Sequence, residues 1–180
     1  MMTFALTPLQ DDNRKSRHDF TVRRFSSDYE LLVRLQSIGV DEAGAGYLIA
    51  TTSTLAGVPQ PTVTFHGARG PHTGFYQSPR HRAVLRFGEE AVAGWERDRR
   101  RRWPTDGMIR LGRTTSASTV AHELGHHLTQ HLERPGVATH GKLWVGHFDA
   151  AARIVGGELD GVQLTAVGGR LLNQGRARSS

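Results

Sequence analysis

His122-Glu123-Leu124-Gly125-His126 decides how this chain is read, because two histidines four residues apart with a glutamate after the first form a metal-ligand pattern on a single helical turn. At 100° per residue the two imidazoles stand only about 40° apart, so both reach one ion. Glu123 projects further round the helix, where it approaches a water at that ion without becoming a ligand, as metal-assisted hydrolysis requires. With 10 His and 8 Glu in 180 residues, composition alone would produce an HExxH about 0.02 times.

The flanks agree with the motif. Thr114-Thr115-Ser116 offers N-cap hydroxyls, and Val120, Ala121, Leu124, Leu128 and Leu132 form an apolar stripe nearly opposite the two motif histidines. Pro135-Gly136 forbids continuation, so the spacing predicts a helix near 116–133 with the motif at its middle. His127 and His131 are a second pair at the same spacing. They point about 140° and 180° away from His122, cannot share its ion, and read as packing or surface residues.

A catalytic zinc usually takes three protein ligands and keeps a fourth position for water. The pattern HExxHxxGxxH fails here, since Thr129 and Leu132 stand where Gly and His are needed, and the chain has no cysteine to supply a thiolate. His140, His147, Asp149 and Glu158 remain as candidates. His140 is favoured by its setting: the chain reverses through Arg134-Pro135-Gly136, and His140-Gly141 opens a second helical pattern in Leu143, Trp144, Phe148, Ala151, Ala152 and Val155, expected to close at Gly156-Gly157. His147, on roughly the same face, reads as a helix-surface histidine first and as an alternative ligand or oxyanion donor second.

The run His122-Glu123-Leu124-Gly125-His126, a short reversal, then His140-Gly141-Lys142-Leu143-Trp144 resembles the SprT-like (Spartan-type) zinc metalloproteases, which follow HExxH with a third histidine in an HGxx-aromatic element. It is also similar to small bacterial and phage metallohydrolases with the same core. The resemblance covers about residues 107–155. It implies His122, His126 and His140 as zinc ligands, Glu123 as the catalytic acid/base, and a protein or peptide substrate. No cysteine zinc ribbon follows, and the first 75 residues hold no motif that aligns with the family.

Net charge is +6, and the basic residues are lopsided, with 21 Arg against Lys15 and Lys142. The densest run, Arg99-Arg100-Arg101-Arg102-Trp103, combines phosphate-binding guanidinium groups with an aromatic that can stack on a base, so DNA is a candidate partner. The plainer reading is a solvated basic face, because Glu89, Glu90, Glu96 and Asp98 lie just upstream. The first residues lack the basic start and apolar run of a signal peptide, and no run is long enough to span a membrane, which predicts a cytoplasmic chain with no membrane partner.

The coarse order is α+β. Residues 1–25 read as a polar, irregular tail, 26–172 as one domain and 173–180 as a mobile tail. Ser27-Asp28 and Asp41 cap two early helices; Thr62–Phe65, Gly74–Tyr76, Ala83–Phe87 and Met108–Leu111 are β-prone; 88–106 reads as a helix plus loop. The expected architecture is zincin-like, a small, mostly antiparallel sheet packed on the HExxH helix, with Met108–Leu111 or Ala83–Phe87 as the edge strand that receives substrate. Zn²⁺ on three histidines would then activate water for peptide hydrolysis, with Glu123 as base. The rival from another class is an Arg-rich nucleic-acid-binding or interaction protein whose metal is structural.

Overall fold

In the computed structural model residues 20–67, 74–97, 106–133 and 137–176 are described, with side chains as far as residue 161. A helical turn over 20–25 leads into α1 (Tyr29–Gln36), β1 (Gly39–Val40), α2 (Glu42–Leu55), β2 (Thr62–His66), β3 (Gly74–Gln77), α3 (Pro79–Phe87), α4 (Glu89–Arg97), β4 (Met108–Gly112), β5 (Thr115–Ser116), α5 (Ala117–Leu132) and α6 (Lys142–Arg176). The class is α+β with small mixed sheets. β4 lies at the centre of three strands, parallel to β2 and antiparallel to β3, while β1 and β5 form a separate antiparallel pair.

Local chemistry sets the helix starts. The Asp28, Asp41 and Ser116 side chains each accept a backbone N–H of the first turn, satisfying donors that a helix leaves without intrahelical partners. The Ala117 N–H also donates to Ile38 O at 2.9 Å, so the β1–β5 pair pins the start of α5. Along α5 the stripe Val120, Ala121, Leu124 and Leu128 is buried, together with His127, whereas Leu132 is exposed.

The core lies between the sheet and a layer made by α1, α2, α5 and α6, with Ile109 and Leu111 of the central strand buried among Leu35, Ile49, Val120, Leu124 and Val155. α5 and α6 touch at Gly125, where an added Cβ would stand 3.1 Å from both Cα and Cβ of Phe148. A side chain there would push the helices apart. Glycine inside the HExxH therefore lets α6 cross directly over the motif.

Several expectations are corrected. Residues 83–87 are helical, not a strand: Ser78 caps α3 by accepting His81 N–H and Pro79 sits in the first turn, start signals that outweigh a five-residue β-prone run. With 83–87 helical and Met108–Gly112 central, neither proposed edge strand is one; the edges of the three-stranded sheet are β2 and β3. α6 does not stop at Gly156-Gly157 but runs on to Arg176. Gly156 is instead a contact point, since a Cβ there would come within 3.0 Å of Leu31 Cδ1, and Arg34 pairs with Asp160 at 3.2 Å beyond it. Residues 20–25 are helical and Val22 is buried, so the ordered fold begins ahead of residue 26. No described helix is long and apolar enough to cross a membrane.

Candidate metal centre

His122 and His126 stand one turn apart on α5, and the loop after α5 returns His140 to them. The three Nε2 atoms lie 3.2 Å (His122 to His126), 3.4 Å (His122 to His140) and 3.0 Å (His126 to His140) apart. His140 reaches this position with a φ of 60°, the left-handed region that a non-glycine residue enters only where its surroundings hold it. Gly141 N–H closes the turn onto Ala138 O at 3.0 Å, directly ahead of α6.

The donor set suits a small cation. Tetrahedral bonds of 2.0–2.1 Å require ligand nitrogens about 3.3 Å apart, which matches the separations observed. Neutral imidazole nitrogens converging on one point are also the ligand type that zinc accepts in catalytic sites. No other group of three or more histidine or carboxylate ligands of this kind occurs among the described residues. Trp144, fully buried on the first turn of α6, forms an aromatic floor, with its ring 4.9, 5.2 and 4.6 Å from those of His122, His126 and His140.

Glu123 is buried beside this group, and burial pushes its carboxyl up to about 8, opposed by a hydrogen bond from the Tyr76 backbone. β3 brings that backbone in. Its first residue, Gly74, lies against the carboxylate itself, with space for no side chain between strand and helix. The Tyr76 ring runs parallel to the His126 ring at 6.4 Å, and its hydroxyl lies 3.4 Å from His127 Nδ1. His127 Nε2 donates to Pro59 O at 2.8 Å, which leaves Nδ1 as the acceptor for Tyr76. Burial lowers the His127 pKa to about 4, so this histidine is a neutral core strut.

The histidine group opens into a cleft of about 520 Å³, lined by β3, the start of α3, the exposed face of α5 and the 137–140 turn. Its described lining holds Glu123, Glu133 and four histidines but no lysine or arginine, although the chain carries net charge +6.

The other candidate ligands have different work. His147 Nε2 donates to Glu133 Oε1 at 2.8 Å. The buried Asp149 carboxylate accepts Ser26 Oγ–H at 2.8 Å, Ser27 N–H at 2.6 Å and Ser27 Oγ–H at 2.9 Å, tying the residues before α1 to α6. Glu158 accepts the Tyr47 hydroxyl at 2.5 Å. Arg99, Arg100, Arg101, Arg102 and Trp103 lie outside the described residues. Gly74 and Tyr76, read from sequence only as part of a β-prone piece, and His81 and Glu133 were not read as residues of the cleft; Gly74 before two aromatics was the available sign of a close backbone approach, whereas nothing around His81 marks it.

Comparison with known protein families, with curated proteins and with solved structures finds no match to this chain.

Proposed function

We propose that this chain is a zinc-dependent metallohydrolase, in particular a metallopeptidase with a zincin-like, SprT-like core acting in the cytoplasm. The observation that carries the reading is the convergence of His122, His126 and His140 within 3.4 Å of one another, next to a buried Glu123 and open to a cleft. A structural metal would need a fourth protein ligand to close the tetrahedron, and none of the described carboxylates or histidines joins the group.

Bound Zn²⁺ would supply Lewis acidity, lowering the pKa of water to about 7 and polarising a carbonyl. The residues around it divide the remaining work. The three imidazoles would hold the ion, and Trp144 packs against all three rings. Glu123 accepts the proton of the attacking water and delivers it to the leaving amine. β3 borders the cleft with one described strand neighbour, β4; the Tyr76 N–H is held by Glu123, so an extended peptide would pair with the remaining backbone groups of its other edge. The absence of lysine and arginine from the described lining favours a neutral or cationic peptide over a phosphate backbone.

The test is Glu123→Gln in the zinc-loaded chain, assayed on casein and on a quenched-fluorescent peptide library. Zinc content should stay at one per chain while hydrolysis falls by about 10²-fold or more. Equal hydrolysis by both proteins would remove Glu123 from the mechanism, and a wild type that binds zinc yet cleaves nothing would leave the structural-metal reading in its place.

A further inference from the structure

α5 ends at Leu132 with Glu133 as its C-cap, and α6 begins at Lys142; the intervening loop presents His140 at positive φ. His147, in the second turn of α6, reaches back across this loop and donates from Nε2 to Glu133 Oε1 at 2.8 Å. A carboxylate only accepts, so Nε2 carries the hydrogen. The two side chains are 18% and 26% exposed, which shelters the bond from water. Glu133 is the C-cap residue of α5, the helix end where a carboxylate meets the negative pole of the dipole. An acid there works against its own helix and owes its place to the partner it meets.

We propose that His147 and Glu133 are positioning residues, a clamp that fastens the two ends of the loop and so fixes His140 for metal binding. The inference rests on the metal centre proposed above. Without the clamp, His140 would relax from its left-handed backbone conformation, and the third ligand would sample positions away from His122 and His126. The Nε2 separations of 3.0 and 3.4 Å from His140 to its neighbours are the quantity the clamp protects.

The experiment is Zn²⁺ affinity of the full chain without substrate, by competition with a chromophoric chelator. His147→Phe, which keeps the bulk and removes the donor, and Glu133→Ala should each weaken affinity about 10-fold or more, as loss of groups that orient metal ligands does. Glu133→Gln offers an amide oxygen to the same donor and should stay within about 3-fold of wild type, a rescue that a general packing defect would not give. The double variant, His147→Phe with Glu133→Ala, should be no weaker than the worse single, because the two act as one unit. Wild-type affinity in both single variants, or losses that simply add, would overturn the clamp. His122→Ala tells this failure from that of the centre itself: unchanged zinc binding in that variant would sink the metal site and the clamp with it.

Discussion

Gly74 and Glu123 approach so closely that a Cβ at position 74 would lie 2.6 Å from the Glu123 Oε1 and 2.9 Å from its Cγ. The same atom would meet Thr119 Cγ2 at 2.6 Å, one turn earlier on α5. The helix offers no slack on that side. The carboxylate must move or β3 must lift, and lifting the strand would draw the Tyr76 N–H away from Glu123. Gly74→Ala should therefore leave zinc content unchanged, cost about 1–3 kcal/mol of stability from overpacking, and lower hydrolysis by about 10²-fold, the usual penalty for displacing a reacting group by about 1 Å. Zinc analysis, a urea melt and a peptide assay on one preparation check all three, and full activity in this variant would show that β3 does not position Glu123.

Three of the four candidates for the third ligand position, His140, Asp149 and Glu158, should separate cleanly by substitution. His140→Ala removes one of three converging nitrogens and should weaken zinc binding severely. Asp149→Ala and Glu158→Ala should bind zinc as wild type does. Asp149→Ala should instead lower stability by about 2 kcal/mol or more, since Ser27 N–H and two hydroxyls lose a buried acceptor. Calorimetric melting beside a zinc titration reads both effects. Loss of zinc in Glu158→Ala with retention in His140→Ala would contradict the ligand set outright.

How much of this was legible in the chain depends on whether the information is local. α5 could be read because the HExxH, the Ser116 cap and the apolar stripe lie within one helix length and agree with one another. His140 could be favoured because the reversal and the following helix constrain where it goes. The path of β3 could not, since Gly74 and Glu123 meet only when a strand and a helix 49 positions apart in sequence are packed together. Residues 83–87 misled because a short apolar run fits a strand or a helix equally until its cap is weighed. Gly156-Gly157 misled for the opposite reason. A stop signal in isolation, it becomes a seat for Leu31 once α1 packs on α6, and tertiary contact outweighs propensity.

His127 should make the metal-free fold acid-labile. Its pKa is lowered by burial to about 4 from an ordinary 6.5 in the unfolded chain, while the Pro59 bond opposes the shift and His131 adds to it. Between those two values the unfolded chain binds more protons at this residue than the folded one. Its contribution to stability is therefore complete above 6.5 and disappears as the pH falls toward 4. The span corresponds to about 3 kcal/mol. Glu123 works in the other direction: its raised pKa gives a contribution complete below 4.5 and lost as the pH rises through about 8. A raw pH profile mixes the two. His127→Gln isolates the histidine, because the amide can still donate to Pro59 and accept from Tyr76 but does not titrate. With metal removed by chelation, the stability difference between wild type and His127→Gln should shift by about 3 kcal/mol between about pH 7 and about pH 4, read from urea melts at intervals across that range. Since Glu123 is present in both proteins, its contribution cancels, and a difference that stays flat with pH would mean that His127 is hydrated and charged in the folded chain instead of buried neutral behind Tyr76.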